Sequence, residues 1–241
     1  MVEKSTISVI LNGYKRPHLL KEQADSIFAQ SESVRLYVWQ NTGDITEDVS
    51  SRAICSLTNY NFGVWARFAF ALNCNTEYVC VFDDDTIPGE HWLKNCKDTI
   101  IKNDGLLGTV GVTFNDLTYR NYSRYGWVNP NESAVKTDIV GHSWFFRREW
   151  LGDFWREGEP PEHNLSAEDI HFSYSIQKYR GLSTYVPPHP ESDKRLWGSN
   201  PDKAIQYGVD SNAISCNYHA SHFGKNLERY YQKGFRFLNF K

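Results

Sequence analysis

The chain has 241 residues and a mass of 27.9 kDa, enough to bury a full core as one α/β domain with a smaller lobe attached. A formal net charge of -3 without any long basic stripe excludes an electrostatic nucleic-acid footprint, and no apolar run is long enough to span a bilayer. The five cysteines, at 55, 74, 80, 96 and 216, form no CxxC pair or zinc-finger spacing, and the N-terminus leads into a strand rather than a signal peptide. This pattern suits buried, reduced thiols in a cytoplasmic chain, or in the catalytic part of something larger.

Residues 7–11 are apolar and β-branched, and read as a first strand that stops at Asn12-Gly13-Tyr14-Lys15-Arg16-Pro17. A helical pattern follows through Leu19, Leu20, Ala24, Ile27 and Phe28, with Pro17 at its start, where a missing N–H is harmless. Residues 34–39 form a second strand ending at Gln40-Asn41-Thr42-Gly43-Asp44, and residues 54–57 a short third. Asn59-Tyr60-Asn61-Phe62-Gly63 leads into a helix over residues 64–73, with Arg67 in its first turns. The fourth strand, Tyr78-Val79-Cys80-Val81-Phe82, runs into Asp83-Asp84-Asp85, and a helix over 92–102 follows. Strand, loop and helix in repetition predict a single doubly wound, mostly parallel sheet flanked by helices.

The second half is less regular. Residues 108–114 and 139–146 read as strands, and 119–131 as a polar, aromatic loop. Ser166 is the predicted N-cap of a helix running to about residue 179, with Asp169 in the third position of a capping box. A short strand at 184–186 ends at Pro187, and residues 191–217 are polar and loop-like. A flexible loop near 191–212 is expected, with Lys194, Arg195, Trp197 and Gly198 suited to a lid that excludes water.

Chemistry concentrates where the fourth strand ends. An uninterrupted apolar run reads as a strand buried on both faces, and ligands of open α/β sheets bind beyond such strand ends. Three clustered carboxylates are costly there unless a cation neutralises them. Hard oxygen ligands suit Mg²⁺ or Mn²⁺, which keep coordination positions open for phosphate oxygens.

Taken together, the motifs resemble nucleotide-sugar glycosyltransferases of the GT-A fold over nearly the whole chain. Residues 7–17 with Ser26-Ile27-Phe28-Ala29-Gln30-Ser31 look like the family's opening strand and helix, and Asn61-Phe62-Gly63 before Phe68-Ala69-Phe70-Ala71-Leu72 like its Asn-x-Gly helix start. Asp83-Asp84-Asp85 matches its Asp-x-Asp metal motif. Gly141-His142-Ser143-Trp144-Phe145-Phe146-Arg147-Arg148 looks like its acceptor-side strand, and Glu168-Asp169 like the acidic pair opening a late helix. Gln30-Ser31 and Glu168-Asp169 resemble the large, mostly inverting polysaccharide-type group. Residues 38–44 and Asp83-Asp84-Asp85-Thr86 look more like the retaining, exostosin-type domains, and both remain open.

The resemblance implies a metal-dependent transferase that takes a nucleoside-diphosphate sugar, a UDP-sugar first, and a glycan or other hydroxyl acceptor. It divides the single catalytic domain, 1–241, into a nucleotide-binding half (1–105) and an acceptor-binding half (106–241). The leaving pyrophosphate needs a Lewis acid. Asp85, projecting farthest beyond the strand, is the first metal ligand expected, with Asp83 reaching the metal or the ribose. Asp84 has the opposite side-chain parity and would face elsewhere or meet the donor sugar. Arg16 and Arg67 are the cations expected at the diphosphate. Asn12, Gly13, Tyr14, Asn41 and Asn61 are the candidates around the nucleotide. Asp169 would act on the acceptor hydroxyl or sit where a nucleophile is needed, with Glu168 beside it. His142, Ser143 and Trp144 are expected to line the acceptor pocket, and a late histidine, His219 or His222, to join the metal. Two other classes stay open: a nucleotidyltransferase or pyrophosphorylase acting on sugar phosphates, and a non-catalytic sugar-binding module of transferase ancestry. A dinucleotide-binding dehydrogenase is disfavoured, since no G-x-G-x-x-G follows the first strand.

Overall fold

The computed structural model describes residues 6–157, 166–208 and 220–240, leaving aside the side chains of residues 17, 205–208 and 220–222. Its first half follows the predicted alternation. The strands β1 (Ile7–Gly13), β2 (Val34–Gln40), β3 (Ile54–Leu57) and β4 (Tyr78–Phe82) pair in parallel in the order β3-β2-β1-β4. Helices α1 (Pro17–Phe28), α2 (Glu47–Ser50) and α3 (Ala66–Phe70) connect them, and α4 (Trp92–Lys102) follows β4. β1 and β4 are buried along their whole length, which explains why neither alternates polar with apolar residues.

The second half extends this sheet and adds another. In chain order come β5 (Gly105–Leu107), β6 (Val110–Phe114), β7 (Tyr122–Gly126), β8 (Val135–Thr137), β9 (Ile139–Gly141), β10 (Ser143–Arg147), α5 (Leu151–Arg156), α6 (Glu168–Arg180), β11 (Ser183–Val186), α7 (Pro201–Gly208) and α8 (Ala220–Gln232). The eight-stranded sheet has the order β3-β2-β1-β4-β10-β5-β11-β8, and only β10 and β8 run against the other strands. A smaller antiparallel sheet, β7-β6-β9, stands apart from it. The expected mostly parallel α/β sheet is therefore present.

Four local expectations are corrected. The strand predicted over 108–114 begins only at Val110, as β6, and β5, which the sequence did not suggest, precedes it in the other sheet. The chain turns at Gly108, where a Cβ would lie 2.5 Å from the Val140 Cβ, so only glycine allows this approach. The strand predicted over 139–146 likewise breaks at His142 into β9 and β10. The loop predicted over 119–131 contains β7, whose mixed burial hid it from an apolar count. The capping residue of α6 is Ala167 rather than Ser166, at φ 69° and with no side-chain cap, while the Ser166 carbonyl accepts the Trp65 indole N–H at 3.0 Å.

The main core fills the space around the large sheet, and a second core lies under the small one. α6 is wedged between them: Phe172 and Ile176 belong to the first, Ile170 and Tyr174 to the second. Its buried polar residues are all satisfied. Ser173 and Ser175 donate back to the carbonyls of Asp169 and His171 at 2.8 Å each, and His171 lies between the Phe154 carbonyl (2.6 Å) and the Tyr230 hydroxyl (2.9 Å). The second core is closed by the C-terminal residues Phe235 and Phe237. Buried Asp138 fastens that tail by accepting the N–H groups of Phe114 and Leu238, both at 2.7 Å.

The stretch after Pro190 departs from the loose loop expected near 191–212. His91 N–H donates to the Arg195 carbonyl and Gly89 N–H to the Trp197 carbonyl, each at 2.9 Å, and Asn200 N–H to Ile87 at 2.7 Å. Buried His189 receives the Gly198 N–H on Nε2 at 3.0 Å. Arg195 and Trp197 thus bond through their carbonyls to the turn that follows the acidic triplet, while Gly198 bonds to His189 and Thr109. Of the remainder, α7 covers 201–208, and the expectation for 209–212 falls outside the described residues.

Candidate active site

The acidic turn is built by what surrounds β4. Gln23 of α1, fully buried, donates its amide to the carbonyls of Asp83 (2.6 Å) and Thr86 (2.9 Å), and Asp83 N–H donates to the His142 carbonyl at 2.9 Å. These bonds bring a loop at the start of β10 against the end of β4. Asp83, Asp85 and His142 then each offer a ligand atom, all within 4.8 Å of one another. His142 adopts φ 63°, a left-handed conformation that costs a non-glycine residue about 1 kcal/mol or more and persists only where the surroundings impose it. Its Nδ1 is buried and has no hydrogen-bond partner among the described residues. Two carboxylates and an imidazole suit Mn²⁺ or Mg²⁺, and a buried, unpartnered Nδ1 has a lone pair or proton still to satisfy, so the residues fit a divalent cation.

Charge around this group is dense and largely dry. Arg67, with a side chain only 1 % exposed, donates to Asp83 at 2.5 Å and to Glu168 at 2.8 Å. Arg16 holds Asp84 in a two-pronged pair, one prong at 3.0 Å. Burial nevertheless raises the Asp84 carboxyl to about 6, against the pull of Arg16. Burial also raises Asp85, while for Asp83 the desolvation is outweighed by Arg67 and His142 and its carboxyl is lowered. Asp169 is pushed well above the usual carboxylate range, first by burial and then by the neighbouring Glu168 charge. Its Oδ1 accepts its neighbour's N–H, that of Ile170, at 2.7 Å. Burial raises Tyr119 to about 12, with the charge of Asp169 second.

The asparagines around the expected nucleotide converge. Asn41, at the end of β2, donates to the Asn12 side chain and the Gly63 carbonyl, both at 3.3 Å, and accepts from the Trp39 indole at 2.9 Å and Phe62 N–H at 3.0 Å. Asn61 accepts the Gly63 N–H at 2.9 Å, closing the turn before α3. Gly13 packs so tightly on Gln40 that a Cβ would fall 1.9 Å from its Oε1. Half-buried Tyr14 has the Lys15 ammonium 5.2 Å from its ring centroid. The exposed rings of Tyr60 and Phe62, centroids 5.0 Å apart, form the rim of this region.

Three groups of expectations come out differently. His142, assigned to the acceptor, stands instead with Asp83 and Asp85; the late histidines proposed for that place, His219 and the side chain of His222, lie outside the described residues. Ser143 and Trp144 do not line an open pocket. The Ser143 hydroxyl is buried 2.7 Å from that of Thr109, and Trp144, 2 % exposed, stacks edge-on against Phe68, because β10 is an interior strand covered on both faces. Both arginines expected at a diphosphate are already engaged by carboxylates. Sequence reasoning missed Gln23, whose only signal was a polar residue amid the apolar face of α1. It also missed the four non-glycine residues at positive φ among those described: Lys15, Tyr119, His142 and Ala167. Lys15 and Ala167 immediately precede the charged residues Arg16 and Glu168, Tyr119 is raised by burial and secondly by Asp169, and His142 is itself in the metal group.

No protein-family model matches the chain, and no curated protein sequence does. Solved structures do match. S. aureus TarS superposes with a TM-score of 0.52 at 17% identity, over 96% of this chain and 44% of that one. The mannosyltransferase PcManGT from Pyrobaculum calidifontis, in complex with GDP-Man and Mn²⁺, gives a TM-score of 0.50 at 18% identity, over 94% of this chain and 70% of its own. The chain thus spans under half the length of TarS. It has the GT-A-like fold of nucleotide-sugar glycosyltransferases. No helix among the described residues is long and apolar enough to cross a membrane.

Proposed function

We propose that this chain is a metal-dependent glycosyltransferase that moves a sugar from a nucleoside diphosphate, a UDP-sugar first, to a hydroxyl of a glycan or similar acceptor. The observation that carries this is the Asp83, Asp85 and His142 group, with its unpartnered imidazole nitrogen, at the end of the central parallel strand. That is where open α/β sheets bind ligands. A neighbour of the same fold holds GDP-Man and Mn²⁺, which supports a nucleotide sugar and a divalent cation as the pair of ligands here.

In this reading one catalytic domain carries two halves, with residues 1–105 receiving the nucleotide and 106–241 the acceptor. Asp83, Asp85 and His142 would hold Mn²⁺ or Mg²⁺, which when bound supplies Lewis acidity to the departing diphosphate. Asn12 and Asn41, bonded to each other, and Asn61, which like Asn41 bonds to Gly63, shape the floor of the nucleotide site, with Gly13 and Tyr14 beside them. Asp169 takes the proton of the attacking hydroxyl. A general base works best with a pKa near the working pH, and burial beside Glu168 moves Asp169 in that direction.

Calorimetry of UDP and GDP binding with and without Mn²⁺, on wild type and Asp85→Asn, tests the reading. Binding that requires the metal and fails in the variant is the expected result. Binding indifferent to both metal and substitution would remove the basis for the proposal.

A further inference from the structure

Arg67 lies in α3, but its guanidinium serves two other elements. One terminal nitrogen donates to the Asp83 carboxylate at 2.5 Å and to the Phe82 carbonyl at 3.2 Å, and the other donates to Glu168, at the first position of α6, at 2.8 Å. Its charged carbon lies 4.5 Å from the Trp144 ring centroid, so an aromatic face covers the plane. The nitrogen shared by Asp83 and Phe82 has both of its N–H groups taken, the second terminal nitrogen spends one on Glu168, and Nε, buried, has no partner among the described residues. The same short segment makes a second reach to α6: the Trp65 indole donates to the Ser166 carbonyl at 3.0 Å. Between these two anchors sits Ala167, held at φ 69°. A left-handed alanine at a helix start needs outside restraint, and Trp65 and Arg67 grip the chain on either side of it.

The geometry points to a positioning role: residues 65–67 form a bracket, and Arg67 sets the separation between the metal-side carboxylate Asp83 and the Glu168-Asp169 start of α6, rather than binding the diphosphate. This rests on the reading of Asp83 as a metal-holding residue given above. A guanidinium fork can serve two carboxylates at once in fixed directions. A lysine has a single nitrogen on a flexible stem and cannot reproduce that span. Loss of the fork would therefore loosen two sites together, one in each half of the chain.

The test titrates Mn²⁺ alone, and then UDP at saturating Mn²⁺, into wild type, Arg67→Lys and Trp65→Phe, with near-ultraviolet circular dichroism to verify folding. For Arg67→Lys we expect Mn²⁺ affinity in the absence of nucleotide to fall at least tenfold. Sugar transfer should lose kcat at least tenfold, while the donor KM at saturating Mn²⁺ moves less than threefold. Unchanged Mn²⁺ affinity together with a tenfold loss of UDP affinity would make Arg67 a phosphate ligand and overturn the inference. A wild type that binds no Mn²⁺ would remove the metal reading and the bracket with it, whereas equal binding by wild type and Arg67→Lys strikes the bracket alone. Trp65→Phe keeps every ion pair, so it carries the test if Arg67→Lys does not fold. It should leave Mn²⁺ affinity intact, accelerate amide exchange over residues 166–170 and lower kcat; unchanged exchange and kcat would refute the bracket.

Discussion

Replacing Asp169 by Asn separates catalysis from stability, because the two should move in opposite directions. The carboxylate is half-buried beside Glu168 and its pKa is raised well above the ordinary value, chiefly by desolvation. The folded state therefore holds the proton more tightly than the unfolded chain. Stability falls as pH rises from the unfolded value of 3.8 toward the raised folded one. Each unit of raised pKa corresponds to about 1.4 kcal/mol. Asparagine keeps the shape without the charge, so Asp169→Asn should gain at least that much, or roughly 3 °C in Tm for a chain of this size. The base is lost at the same time, and turnover should fall by about 10² to 10⁴, equivalent to about 3–5 kcal/mol of barrier. Differential scanning calorimetry without metal and initial-rate kinetics with Mn²⁺ give the two numbers. A variant that turns over normally but melts lower would show that the carboxylate only caps α6, and the catalytic assignment would be wrong.

Two predictions concern stability away from the reacting groups. Burial depresses both His171 and His189 to about 4, and each is locked as a neutral ring by its neighbours. The unfolded chain takes up these protons near pH 6.5 and the folded one near 4, so each should remove about 3 kcal/mol as pH falls from 7 to 4. Urea unfolding of His171→Gln across that range should show a shallower acid slope than wild type, and equal slopes would refute the argument. Asp138→Ala strips acceptors from two N–H groups, one of them buried, and detaches the C-terminal tail from the second core, at about 2–4 kcal/mol. Chemical denaturation measures the loss, and a change below 1 kcal/mol would mean that the tail holds by its aromatic rings alone.

Where one element's own residues determine its conformation, the sequence was readable. β3 and α4 sit on their expected residues, and apart from the short α2, which was not expected, the order of strands and helices up to α4 matches because apolar runs and loop residues alternate cleanly there. The carboxylates after β4 were legible for the same reason: three adjacent charges directly after a fully apolar strand stand at its buried end, where they are costly without a cation. The failures share a cause as well. His142 reads as part of a strand, since nothing local announces that the chain leaves one sheet and enters another at that residue. Arg16 and Arg67 read as free cations because their partners lie 68, 16 and 101 residues away. Ser143 and Trp144 looked like surface groups because burial between two strands is set by the pairing of β10 with β4 and β5. Pairing across such distances leaves no periodicity in the chain.

The break at His142 also limits how this protein can vary over evolutionary time. β9 belongs to the small sheet and β10 to the large one, and the imidazole sits at the single residue between them. Substitutions along either strand can be absorbed as long as their volume is kept. An inserted or deleted residue cannot, because a shift of one position turns every following side chain to the opposite face. Residues 139–147 should therefore tolerate changes of composition and almost none of length.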